Sequence, residues 1–201
     1  MNYELLLINI AAFTPAIILH ECAHGWVANK LGDPTAKNLG RLTLNPLKHI
    51  DPFGTVILPF TLWFSGLTPF GWAKPVPVNP MNLEHPKRDM MWVGLAGPAI
   101  NIALAVILSQ FLKLDLSFEV KSVIQLAILI NLFLAVFNMV PIPPLDGSRL
   151  VIGLLPNRYA YLYSRLEPYG IILVFLLFVV GKFQIFLLPV IDYLASLLGV
   201  H

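Results

Sequence analysis

The run YELLLINIAAFTPAIILHECAHGWVAN, Tyr3 to Asn29, decides the fold class. It is apolar over more than the ~20 residues a helix needs to cross a bilayer. Inside it stands HECAH, His20 to His24. Residues four apart on a helix share a face, so His20 and His24 can offer two imidazoles to one metal ion with Glu21 beside them. Ionisable groups at membrane depth are costly and mark functional sites. The pattern points to zinc hydrolysis, in which the metal acidifies water to a roughly neutral pKa and Glu21 takes the proton as general base. Cys22 points away from that face and reads as a small packing residue.

Composition agrees with a bilayer. Of 201 residues, 57% are hydrophobic and 12% charged, with a mean hydropathy of +0.76; soluble domains carry about 25% charged residues. The expected fold is an all-α polytopic membrane protein with about four to six membrane segments. A net charge of +2 gives a nucleic-acid partner no electrostatic support. The single Cys22 excludes an intramolecular disulfide. The first apolar segment lacks a basic start and outruns a signal peptide, so it reads as a permanent span. The length suits one membrane domain over 1–201, with a catalytic core in about 4–150 and further membrane segments in about 168–200.

Outward from HECAH, Lys30, Lys37, Arg41 and Lys48 follow in a polar connection with the turn formers Gly32, Asp33, Pro34 and Gly40. The next apolar piece, Pro52 to about Leu67, is broken by Gly54, Pro59 and Gly66 and is short for a full crossing, which makes it a candidate re-entrant segment. In GWAKPVPVNP, Gly71 to Pro80, the prolines forbid a helix, so an extended loop is expected. At membrane depth such a loop must be buried in protein or line a wet cavity. A second clear span, about Met90 to Leu112, carries GLAGPAIN. After the polar loop Lys113 to Lys121, a third runs from roughly Ser122 to Val140 and ends in NMVPIPPLDG, Asn138 to Gly147. Tyr159, Tyr161 and Tyr163 beside Arg149, Arg158 and Arg165 have the composition of an interface belt. From Pro168 the chain is apolar to its end except at Gly181 and Lys182. One long tilted helix or a hairpin of two would fit, and Lys182 favours the hairpin. His49 and His85, in polar Pro-flanked segments, read as solvated.

Charge placement constrains the topology. If Pro52 to Leu67 only dips into the membrane, Lys30, Lys37, Arg41, Lys48, Lys74, Lys87, Arg88, Arg149, Arg158 and Arg165 are all cytoplasmic and only Lys113 and Lys121 lie outside. A full crossing would reverse much of that asymmetry. The same choice brings Asp146 to the membrane face of His20 and His24, where a third zinc ligand is needed beside an open position for water.

HECAH in an early span, GPAIN in a middle one and NMVPIPPLDG ending another resemble the site-2 protease family, the intramembrane zinc metalloproteases. The resemblance extends from His20 to Arg149. It implies His20, His24 and Asp146 as ligands of one Zn²⁺, Glu21 as catalytic base, and Asn138 as a residue that holds substrate backbone or supports an oxyanion. The family's GPxxN pattern falls on Gly97, Pro98 and Asn101, where small residues let helices pack closely near the site. It also implies a lipid bilayer as surroundings, transmembrane proteins or peptides as substrates, and a site toward the cytoplasmic side of a cell membrane. Many members add a PDZ or nucleotide-sensing domain, for which this length leaves no room. The 71–80 loop could clamp an unwound substrate by strand addition. Two rival readings use the same residues. A metal-ion transporter would want polar residues on both sides of the midplane, whereas the outer halves of these spans are almost purely apolar. A non-cleaving pseudo-protease would have no need of Glu21.

Overall fold

The chain is described by a computed structural model over residues 3–66, 71–180 and 182–200. Leu67, Gly181 and the side chain of Lys182 lie outside the described residues. Among those described, all regular structure is helical: α1 Tyr3–Lys30, α2 Thr35–Asn38, α3 Leu58–Phe64, α4 Pro86–Phe111, α5 Phe118–Asn138, α6 Asp146–Leu154, α7 Asn157–Ser164, α8 Glu167–Val179 and α9 Lys182–Leu197. By length and composition α4 and α5 can each cross a membrane, where the second and third spans are expected. With 28 residues, α1 is roughly 42 Å long. The protein is an all-α membrane protein.

Local chemistry sets the helix ends. Ser117 caps α5 by accepting from the Val120 amide. Pro86 opens α4, and the buried Asp89 carboxylate one turn on accepts the His85 N–H at 2.7 Å. Pro141, Pro143 and Pro144 have no N–H to continue α5 and turn the chain into α6.

The central helix is α4, which packs against α1, α5 and α6. Its inward face reads Gly94, Gly97, Asn101 and Ala105, all buried, while Ile102, Val106 and Ile107 face outward as apolar surface. Gly94 lets α6 come close: a Cβ there would stand 2.9 Å from Arg149 Cβ and 3.1 Å from the Asp146 carbonyl. Away from α6, Ala105 joins Ile128 and Leu132 of α5 and Leu187, Ile191 and Ala195 of α9 in the main apolar core. The C-terminal region is two helices of roughly 20 and 24 Å, neither long enough to cross a bilayer alone.

Gly71 to Asn79 runs without helix, as expected from its prolines, and is tied down by successive inward-facing backbone groups. The Trp72 N–H donates to the Gly54 carbonyl at 3.1 Å, and Thr55 Oγ1 donates to the Trp72 carbonyl at 2.9 Å. The Lys74 N–H reaches the His49 carbonyl at 2.9 Å, and the buried Arg41 donates from Nη2 to the carbonyls of Lys74 and Pro75. His49 is therefore not solvated but 4% exposed beneath the loop, its Nε2 2.9 Å from the Thr43 carbonyl. His85 is exposed.

The far end of the loop is held by Asp33, which is fully buried. Its carboxylate accepts from the Thr35 hydroxyl and amide, from Asn82 Nδ2 at 2.8 Å and from the Asn79 N–H at 2.6 Å. Burial opposes ionisation, but these donors hold the carboxyl below its ordinary value of 3.8. Its contribution to stability is thus complete above that pH and is lost as pH falls through the lower folded value. Asp33→Ala is expected to cost about 2 kcal/mol for the donors left without an acceptor. It should also accelerate amide exchange at Asn79, which hydrogen-exchange mass spectrometry would read.

Candidate metal centre

His20 and His24 are 6% and 8% exposed on the face of α1 that meets α4. Their rings stand edge to face with centroids 4.6 Å apart. Gly97 leaves the space they occupy: a Cβ on it would lie 2.5 Å from both His20 Cε1 and His24 Nε2. Asp146 arrives from the other side. The proline turn is closed by the Leu145 N–H on the Ile142 carbonyl at 2.9 Å, and Gly147 lies hard against the Met139 carbonyl, so Asp146 becomes the first residue of α6. Its Oδ2 stands 3.1 Å from His20 Nε2 and 3.3 Å from His24 Nε2. Among the described residues these three form the one metal-competent group, with ligand atoms within 4.8 Å of one another.

The outer nitrogens settle what can sit there. His24 Nδ1 lies 2.7 Å from the Val93 carbonyl, which can only accept, so that nitrogen carries the hydrogen. His20 Nδ1 lies 2.6 Å from Asn101 Oδ1, and the amide of Asn101 is oriented by Nδ2 donating to Asn131 Oδ1 at 2.8 Å and to the Ala16 carbonyl at 3.2 Å. In the neutral form of each ring, Nε2 is then the nitrogen left with a lone pair, and it faces a carboxylate oxygen. Asp146 Oδ2 is buried, has both Nε2 atoms at ion-pair distance and makes no hydrogen bond of its own. Three converging acceptors repel one another unless a cation joins them. Two imidazoles and a carboxylate, each imidazole hydrogen-bonded behind, fit zinc.

Glu21 and His20 open on a cavity of about 660 Å³ whose other walls include Phe13, Ile17, Trp72, Phe133, Phe137 and Asn138. Glu21 Oε2 accepts the Val76 N–H of the loop at 2.7 Å. Asn138 reaches the cavity wall and uses Nδ2 to donate to the Leu134 carbonyl at 2.8 Å. Pro98 is buried in α4 beside Gly97. Cys22 is half-buried, its Sγ 3.4 Å from the Thr43 carbonyl and outside the metal-competent group. Sequence reasoning missed Gly94, the Val93 carbonyl, the Val76 amide and Asn131. Of these only Asn131 carries a signal, a polar amide in the apolar stretch AILINLFLAV.

Two imidazoles and a carboxylate that could hold one metal ion, set among apolar helices, are a ligand set of zinc hydrolases. Residues 114–181 match the model of Peptidase family M50. The chain is 39% identical over 180 residues to YwhC of Bacillus subtilis, covering 85% of this chain and 77% of that protein. It is 34% identical over 142 residues to Rip2 of Mycolicibacterium smegmatis, covering 69% and 53%. With MJ0392 of Methanocaldococcus jannaschii it shares 27% over 152 residues, covering 74% and 34%. All three carry the name zinc metalloprotease. No solved structure matches the chain. The chain belongs to peptidase family M50, the site-2 protease family. It is a zinc metalloprotease.

Gly97→Ala should drive both rings from their places and reduce bound zinc at least tenfold, as metal analysis of purified protein would measure. Full zinc content in that variant would show that the rings can move without losing the ion.

Proposed function

We propose that the protein is an intramembrane endopeptidase that cuts peptide bonds in or next to transmembrane segments, close to the cytoplasmic face of a cell membrane. The observation that carries this reading is the cavity: a largely apolar chamber of about 660 Å³ onto which His20, Glu21 and Asn138 open together. An apolar segment can lie in such a chamber with its backbone near the metal centre.

In this reading His20, His24 and Asp146 hold the zinc, whose Lewis acidity acidifies water and polarises a carbonyl. Glu21 takes a proton at its carboxylate and returns it to the leaving amine nitrogen. Asn138 Nδ2 keeps one hydrogen beyond its bond to Leu134 and can hold substrate backbone or a developing oxyanion.

Several spans and a cytoplasmic site suit the same geometry. Pro52–Phe64 is short for a crossing, and beyond it Trp72 returns to Gly54 and Thr55, near the point from which the segment set out. That supports a segment that dips and comes back, with α1 and α5 running the same way across the bilayer and the basic residues clustered on one side.

A helical substrate must unwind before its peptide bonds can be attacked, and the loop offers an edge for the unwound strand. In an extended chain alternate residues face opposite ways. Trp72, Lys74 and Val76 use their N–H groups inward and Arg41 takes the Pro75 carbonyl, which leaves Gly71, Ala73 and Pro77 for the outer edge. The prolines have no N–H, so pairing is confined to Gly71–Ala73, which lies on the cavity wall.

Glu21→Gln should retain zinc while cleavage of a model membrane substrate falls by about 10²–10⁴; undiminished cleavage would sink the general-base assignment. Ala73→Pro, which removes an N–H from the Gly71–Ala73 edge, should raise KM for such a substrate about tenfold with zinc content unchanged. An unaltered KM would take the loop edge out of substrate binding.

A further inference from the structure

Asn131 is 3% exposed in the middle of α5 and touches neither the metal-competent atoms nor the cavity wall. An amide buried among apolar side chains is costly unless every bond it makes is satisfied. Its Nδ2 donates to the carbonyl of Ala127, one turn back, at 2.8 Å. That fixes which end of the amide faces its own helix, so Oδ1 points across to α4. There it accepts Asn101 Nδ2 at 2.8 Å. Asn101, wholly buried, is thereby turned with Oδ1 toward His20 Nδ1 at 2.6 Å. The chain of bonds runs from the backbone of α5 through two amides and an imidazole, and each link dictates the direction of the next.

We infer that Asn131 is a positioning residue that selects the tautomer of His20. If the Asn101 amide flipped, its NH₂ would face His20 Nδ1. The imidazole could then bond only by accepting there, with its hydrogen moved to Nε2. A protonated Nε2 has no lone pair for a metal. In the observed arrangement Asn131 opposes that flip, because a flipped Asn101 would set oxygen against oxygen at 2.8 Å. The Ala16 carbonyl opposes it too, through a longer contact of 3.2 Å. The inference rests on His20 being a zinc ligand, as proposed above.

Substitutions at Asn131 separate positioning from packing. Asn131→Leu has nearly the same shape, and a purely structural role predicts that it binds zinc as well as the native protein. Asn131→Asp, held neutral in these surroundings, can donate to the Ala127 carbonyl with its acid hydrogen and accept Asn101 with its other oxygen. The experiment is zinc affinity of the metal-free, detergent-solubilised protein by competition with a chromophoric chelator, with His20→Ala measured alongside. Asn131→Leu is expected to weaken binding about 10–100-fold, the usual effect of losing an outer partner of a ligating histidine, and Asn131→Asp to stay within about threefold of native. In an Asn101→Leu background, Asn131→Leu should have no further effect, since the two amides act through one bond. Native affinity in Asn131→Leu, with His20→Ala impaired, would overturn the positioning role alone. Native affinity in both would refute the ligand assignment beneath it. Should Asn131→Leu fail to fold, a tenfold or greater loss in Asn131→Asp overturns the proposal by itself.

Discussion

Two imidazole nitrogens and a carboxylate oxygen converge on one point, and with both rings neutral they repel unless a cation lies between them. Everything near the centre of the molecule holds that unfavourable meeting in place. The Val93 carbonyl and Asn101 keep hydrogens on the outer ring nitrogens. Gly97 gives the rings their space, Gly94 admits α6, and Gly147 lets the chain fold back over Met139 so that Asp146 faces α1. Small residues on α4 thus serve the site more than the core. A helix with ordinary side chains at 94 and 97 would keep α1 and α6 apart, and the ligand atoms with them.

A second polar frame surrounds Glu21. Glu21, Arg41, His49 and Asp33 all use charge or backbone to hold the 71–79 loop over the end of α1. This accounts for a run of charged and polar side chains buried in a protein whose surface is mostly apolar. They satisfy backbone groups that have no helix to bond within.

The parts of the site legible in the sequence are those set by local spacing. HECAH places its histidines by helical periodicity alone, and the prolines before Asp146 announce the end of α5. The spans at α4 and α5 follow from uninterrupted apolar length. The burial of His49 is not visible in any local pattern, because the chain that meets it returns 25 positions later, where the Lys74 N–H donates to the His49 carbonyl. The bond from Asn101 to Asn131 joins two helices across 30 positions and is equally invisible. The C-terminal apolar region has two helices, the alternative that Lys182 favours, and α9 packs on α5 through Leu187, Ile191 and Ala195.

The prolines of the loop have a consequence beyond substrate. Exposed backbone edges recruit other chains, and proteins blunt them with proline, charge or cover. Pro75 and Pro77 lie where an intruding strand would look for donors, and Arg41 already occupies the carbonyls of Lys74 and Pro75. Most of the loop's other backbone groups are already bonded inward, so little of it is left as a template for self-association.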